Sequence, residues 1–492
     1  MLQLQNYING QWRPTSTGRY ADNLNPARLD EVICQYPLSS VDELEEAVAA
    51  AKVAQKAWAQ VPAPVRGQIM FKAVHIMERR AEELALALTH EEGKLLKESR
   101  GEVGKAMRYL EFAAGDARRL NGQVIPSEMA STMAYTLRTP LGVVGMITPW
   151  NFPVAIVVWK IAPALVCGNA VVLKPAEQTP LTAKLIVEVF EEAGVPPGVL
   201  NLVFGLGEEV GAAMVDHPGI AAISFTGSTE VGKHIYSRSA ELKKKCQCEM
   251  GGKNAVLVLE DADIELAARG TVMGAFGSTG QRCTATSRVI IHRSVHDAFV
   301  ERMLQLTSEM VIGDGMDPGA GMGPSIDQAQ LDTVMRYIDI ARAEGATFAC
   351  GGERATDGEL ARGLFVQPTL LTGVHRDMRI AREEVFGPVL AVIAVDSLEE
   401  ALSVANDVPF GLTSSIYTRD VNAVFHYIDA IETGMVHINS PTVGGEAQLP
   451  FGGIKDTGVG EREMGPTAMD FFTELKTVYI DYTGAPRTGN LY

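Results

Sequence analysis

One cysteine of the six in this sequence stands in a setting suited to reactivity. Cys283 lies in GSTGQRCTATSR (277–288), a polar, glycine-containing loop that runs straight into an apolar stretch, and the neighbouring Arg282 is a cation that favours thiolate over thiol. A thiolate attacks electrophilic carbon, so the chemistry on offer is covalent catalysis at a carbonyl. A cysteine chosen blindly is more often a small buried hydrophobe, and the polar flanks argue against that here. Glu249, in CQCEMGGK (246–253), is followed by two glycines that let the backbone turn tightly and leave a carboxylate at a cavity. Beside a thiol it would activate the water that hydrolyses an acyl enzyme; alone it would be solvated surface. Asn151, in TPWNFP (148–153), is stiffened by flanking prolines, and its amide would either donate to a developing oxyanion or satisfy its own turn.

Three further patterns suit a dinucleotide. GLGEEVG (205–211) places Gly207 and Gly211 where a strand gives way to a helix, although its spacing is GxGxxxG rather than the GxGxxG fingerprint. FTGSTEVG (225–232) is the stronger pattern: Phe225 ends a strand, Gly227 turns, and Ser228 caps a helix whose free N–H groups can hold a pyrophosphate. In LKPAEQTP (173–180), Lys174 and Glu177 end another strand, and a carboxylate there binds ribose hydroxyls while repelling a 2′-phosphate. The expected cofactor is NAD, with NADP possible.

These groups need rigid elements to hold them. Residues 41–98 alternate Ala-rich apolar positions with charges at helical spacing, which predicts two or three amphipathic helices. Short apolar runs at 142–147, 170–174, 200–204 and 221–225, separated by helical patterns, read as β-α-β units of a parallel sheet. A second set follows at 287–291, 389–395, 414–417 and 435–439, with a helix over 295–310 between. Two α/β domains are the economical reading. The alternating stretches 132–138 and 477–482 predict outlying strands, either an arm that docks on another subunit or an edge hairpin.

The chain has 492 residues, enough for two or three domains, with 46% hydrophobic and 21% charged residues. A formal charge of −17 repels phosphate backbones and anionic lipid, which argues against nucleic-acid and membrane partners. No apolar run approaches the ~20 residues of a bilayer span, and the first residues lack the pattern of a signal or transit peptide, so a cytoplasmic location is expected. Six cysteines without zinc spacing make neither a disulfide scaffold nor a metal site, and no metal is expected.

Taken together, the motifs PWNFP, LKPAEQTP, FTGSTEVG, EMGGKN, GQRC, EEVFGPV and PFGG, in that order, resemble the aldehyde dehydrogenase superfamily from YINGQW (7–12) to FTELK (472–476). The resemblance implies an α/β fold in three parts: a Rossmann-like NAD(P)-binding domain (1–121 and 141–251), a catalytic α/β domain (252–456), and a small β oligomerisation arm (122–140 and 472–492). It implies Cys283 as nucleophile, Glu249 as general base, and Asn151 with the Cys283 N–H as oxyanion hole. Lys160 and Glu463 resemble a pair associated with structural support or proton relay. Trp150, Lys174, Glu177, Gly207, Gly211, Phe225, Gly227, Ser228, Gly251, Glu384 and Phe386 are the implied cofactor contacts. Trp159, Arg282, Thr284 and Asn439 are the implied substrate contacts, with Arg282 a distal-carboxylate anchor, a structural ion pair or a thiolate tuner. The loop 439–450 is similar to loops of both aromatic-aldehyde and semialdehyde dehydrogenases. The implied reaction oxidises an aldehyde to its acid through a cysteine thiohemiacetal and thioester, in a homodimer or homotetramer. A thiol esterase or acyltransferase and a non-catalytic structural protein are the alternatives.

Overall fold

A computed structural model describes residues 1–486 of the chain; the last six residues of the expected arm lie outside them. Five parallel strands form the centre of a first sheet, in the spatial order Leu200–Leu202, Ala170–Lys174, Val143–Ile147, Ala222–Thr226, Lys245–Glu249. In chain order this is 3-2-1-4-5, so the winding reverses between Val143–Ile147 and Ala222–Thr226, and a crevice opens beyond their C-terminal ends. Short antiparallel strands, Asn6–Ile8 on one side and Gly458–Val459 on the other, close its edges.

The near-continuous apolar runs follow from burial on both faces. Val144, Met146, Val171 and Leu173 pack into a large core under the helices of the N-terminal half, while the alternate residues Val143, Ala170 and Val172 pack into a separate core on the other face. The stretch 41–98 and its continuation make four helices, Val41–Trp58, Ala63–Arg79, Ala81–Glu92 and Leu96–Asp116.

A second sheet of seven strands has six in parallel: Thr369–Thr372, Val389–Val395, Thr286–His292, Asn254–Val258, Thr413–Tyr417 and Met435–Ile438, with Thr347–Cys350 antiparallel at one edge. It too is covered on both faces, Ala255, Leu257 and Ile290 on one, Val256, Val258 and Val289 on the other. The fold is thus mixed α/β with two parallel sheets, as the β-α-β punctuation predicts. The two outlying stretches pair with each other: Thr473–Asp481 runs antiparallel to Thr132–Pro140 along its whole length, and Val124–Ile125 adds a third strand. Among the described residues no helix is long and apolar enough to cross a membrane.

Candidate active site

Cys283 is delivered by an unusual stretch of backbone. The helix Ile264–Phe276, capped by the Asp263 side chain, ends at Gly277, and Ser278, Thr279 and Gly280 then take three consecutive left-handed conformations (φ 47°, 57° and 68°). Such strain persists only where the surroundings over-determine it. Here Glu98 accepts the Ser278 N–H at 2.8 Å, Thr279 donates to the Gly323 carbonyl at 3.0 Å, and Gln281 bridges Pro324 and Ile326. Gly280 has to be glycine on two counts, its positive φ and the Gly387 carbonyl oxygen 2.3 Å from where a Cβ would lie.

Two cavities meet at the Cys283 side chain. One, about 270 Å³, lies at the crevice of the first sheet and is lined by Trp150, Asn151, Gly227, Ser228, Gly251, Glu384 and Phe386. The other, about 310 Å³, lies beyond the thiol and is lined by Phe152, Trp159, Arg282, Thr284, Lys105 and Phe451 among others. Cys283 and Ile156 belong to both. A thiol on the wall between two chambers can be approached from each side by a different reactant. Burial is the largest influence on it and pushes the thiol up; Glu249, Glu384 and Glu463 add to this, and Lys105 opposes.

Asn151 is buried, its amide donates to the Gln281 carbonyl at 3.2 Å, and its own carbonyl is held by Lys94 Nζ at 2.6 Å. Glu249 ends its strand opposite Gly458, with no hydrogen-bond partner for Oε1. Burial first, then Glu463, raises its carboxyl well above the usual carboxylate range, while Arg462 and Lys160 pull the other way. Its Oε2 lies toward Gly452 and Gly458, where added Cβ atoms would stand 3.0 and 3.2 Å away. Glu249 lines neither cavity in this conformation, and its carboxyl packs against bare glycine backbone. Lys160, on the fully buried helix Ala155–Val166, forms an ion pair with Glu463 and donates to Ser224 Oγ at 2.8 Å. Glu463 Oε2 is buried without a partner. This pair sits behind the cavities and acts on Glu249 through its charge.

The cofactor candidates divide into two groups. Glu384 accepts the Gly252 N–H at 2.8 Å, and burial moves its carboxyl to about 7 despite that bond and Lys253. A Cβ at Gly251 would stand 2.0 Å from Glu384 Oε2, so the bare glycine is what admits this carboxyl. Phe386 is held at φ 56°, edge-on to Trp150 with ring centroids 5.4 Å apart. Ser228 caps the helix Thr229–Glu241 and accepts the Val231 N–H at 3.4 Å, leaving first-turn N–H groups free at the crevice. Farther out, a groove of about 810 Å³ runs between Gly207, Gly211 and Val215 on one side and Val231, His234 and Ile235 on the other. Glu177 stands at its end, bonded to Lys174 Nζ and the Gly207 N–H, both at 2.7 Å. Bare glycines facing an apolar slot, with a carboxylate at one end and free helix N–H groups at the other, fit adenine, ribose and pyrophosphate in that order.

Three expectations need correction. Arg282 does not tune the thiol: its guanidinium is tied to Glu98 at 3.1 Å and Ser278 Oγ at 2.9 Å, and the cation that acts on Cys283 is Lys105. Phe225 is buried in the core beneath the crevice, its ring filling the space left by Gly227 and Gly232, and lines neither cavity. Asn439 lines neither cavity: left-handed at φ 52°, it exchanges two side-chain hydrogen bonds with the Thr418 backbone at 3.0 Å each. Sequence reasoning missed Lys105 and Phe152 in the second cavity and Val231 with Ile235 in the groove. Glu98, Glu102, Lys105 and Tyr109 recur at helical spacing on Leu96–Asp116, a signal that would have marked one face of that helix.

The profile of the aldehyde dehydrogenase family matches residues 12–478. The chain is 46% identical over 475 residues to the α-ketoglutaric semialdehyde dehydrogenase of Bacillus subtilis (strain 168), covering 96% of this chain and 97% of that one. It is 43% identical to the 2,5-dioxopentanoate dehydrogenase of Saccharolobus solfataricus over 95% of this chain and 98% of the other. Among solved structures, betaine aldehyde dehydrogenase from Staphylococcus aureus in complex with NAD+ is similar, with a TM-score of 0.96 at 35% identity, over all of this chain and 97% of that one.

Proposed function

This chain belongs to the aldehyde dehydrogenase family, and from that premise we propose which of its residues carry the oxidation of an aldehyde to the acid, and on what kind of aldehyde. The activity of the family is NAD(P)-dependent, and the nicotinamide supplies the hydride acceptor when bound. Cys283 adds to the carbonyl carbon as thiolate, and the Asn151 amide with the Cys283 N–H holds the oxygen that gains charge. Glu384, Phe386 and Trp150 orient the nicotinamide end in the first cavity, Ser228 the pyrophosphate, and Lys174 with Glu177 the adenosine ribose. Once the thioester has formed, Glu249 rotates toward the thiol and takes the proton of the attacking water, and the acid leaves through the second cavity. Lys160 and Glu463 support that base from behind.

The observation that carries this reading is the placement of Cys283 on the wall shared by two cavities, one against the crevice where the strand order reverses and one lined by Phe152, Trp159 and Phe451. The names of the bacterial and archaeal relatives support a substrate with a carboxylate distal to the aldehyde, of the 2,5-dioxopentanoate type. The chain divides on this reading into a cofactor domain (1–121 and 141–251), a catalytic domain (252–456) and an arm, and works as a dimer or tetramer in the cytoplasm. NADH formation, followed by absorbance with short aliphatic, aromatic and carboxylate-bearing aldehydes, tests it. The expected ranking puts the carboxylate-bearing aldehydes first, and Cys283→Ala lowers turnover by more than about a thousandfold. Ester hydrolysis without NAD-dependent turnover would favour a thiol esterase instead.

A further inference from the structure

The charges that line the second cavity do not cancel. They are Lys94, Glu98, Glu102, Lys105 and Arg282, three cations and two carboxylates. Each carboxylate is already engaged. Glu102 takes Lys94 Nζ at 2.7 Å and the N–H groups of Val154 and Ala155 at 2.9 and 3.0 Å, and Glu98 takes Arg282 together with the Ser278 N–H. Lys105 is the cation left over. Among the described residues it has no hydrogen-bond or ion-pair partner, and its nearest aromatic ring, Tyr109, is 5.8 Å from Nζ. On the loop side its head faces Gly445, which carries no side chain; a Cβ there would stand 3.6 Å from Nζ. A lysine pressed into a cavity without an anion is costly, and burial lowers its proton affinity accordingly, with Cys283 and Glu102 opposing.

We propose that Lys105 is the residue that selects a carboxylate-bearing aldehyde, its ammonium on the helix Leu96–Asp116 pairing with the distal carboxylate of a substrate whose aldehyde carbon lies at Cys283. This rests on the semialdehyde reading above and assigns its recognition to Lys105 in place of Arg282, whose guanidinium is committed to Glu98. Aromatic Phe152, Trp159 and Phe451 then pack the methylene chain between the two ends.

The test compares kcat/KM for 5-oxopentanoate with that for pentanal, its uncharged counterpart of equal length, at saturating NAD, in wild type, Lys105→Met and Lys105→Arg. In the wild type the acid is preferred. Lys105→Met lowers the acid-to-neutral ratio by about 10- to 100-fold, mainly through KM for the acid, because a hydrogen bond to a charged group is lost, and Lys105→Arg recovers much of it. Glutarate inhibits the wild type competitively and loses affinity in Lys105→Met by a similar factor. A wild type that does not prefer the acid overturns the semialdehyde reading and this inference with it. A wild type that does prefer it, with the ratio unchanged in Lys105→Met, overturns the inference alone. Equal loss of kcat on both substrates, with the pH profile of the first turnover moved upward, makes Lys105 a thiolate-stabilising group and also overturns it. Should Lys105→Met fail to fold, Lys105→Gln is read by the same ratio.

Discussion

Glu249 and Cys283 oppose each other electrostatically before either reacts. The Glu249 carboxylate is one of the charges that push the Cys283 thiol up, second only to burial, while burial and Glu463 push Glu249 up in turn. As the proposed base, Glu249 acts only when deprotonated, so steady-state turnover should increase as pH climbs through its elevated value, and at lower pH the protonated carboxyl should leave the thioester to accumulate. Glu249→Gln separates the two effects. With its negative charge gone, the thiolate forms more readily, so the pH profile of the first-turnover burst of NADH moves to lower pH. Steady-state turnover falls by about a hundred- to ten-thousandfold because the water is no longer activated. Stopped-flow absorbance at several pH values checks both, and a burst profile that stays put or moves to higher pH would show that Glu249 helps form the thiolate. The sequence singled out Cys283 from its polar flanks, Glu249 from the glycines after it and Asn151 from its prolines; the structure puts Cys283 and Asn151 on one cavity wall and brings the Glu249 charge to bear on the thiol. What was not legible was partnership. Arg282 looked like the neighbour of the thiol because it precedes it in the chain, yet its side chain turns to Glu98, and Lys105, remote in sequence, lines the same cavity as Cys283 and is the cation whose charge acts on the thiol.

The elements around the site depend on backbone left bare at chosen points. Gly251 follows the strand Lys245–Glu249 and admits Glu384 so closely that any Cβ would stand 2.0 Å from Oε2. Gly251→Ala therefore displaces Glu384 from the Gly252 N–H without touching Cys283, and with it one of the groups proposed to orient the nicotinamide end. The expected outcome is a loss of about a hundredfold in NAD-dependent kcat/KM, since an ångström of misplacement near a reacting centre costs that much. Reaction of Cys283 with iodoacetamide should continue at near the wild-type rate; loss of both would mean that the substitution collapses the loop rather than moves Glu384. Strands such as Ala170–Lys174 and Val389–Val395 were readable to the residue because burial on both faces forces an unbroken apolar run. The left-handed run Ser278–Gly280 was not readable, because two of its three residues are not glycine and their conformation is imposed by Glu98 and Gly323 from other parts of the chain.

At the scale of the whole molecule, the arm sheet is the feature that does not close on itself. Thr473–Asp481 is its outer strand, nine residues long, with no strand beyond it among the described residues. Direct cross-strand pairing puts Leu475 and Tyr479 on one face with Arg138 and Ala134, and Ile480 on the other with Met133. Leu475 and Tyr479 are 62% and 64% exposed, and Val124, at 74%, adds to the apolar area. A long outer strand with exposed apolar side chains on both faces invites pairing with another copy, and natural proteins otherwise blunt such edges with charge. Leu475→Lys with Tyr479→Lys applies that remedy. The double variant should sediment at half the wild-type mass or less at micromolar concentration. It should keep the first-turnover burst, because among the described residues the arm contributes none to either cavity that meets Cys283. An unchanged mass would place the contact between subunits elsewhere, while a reduced mass with the burst lost would mean that a neighbouring copy completes the site.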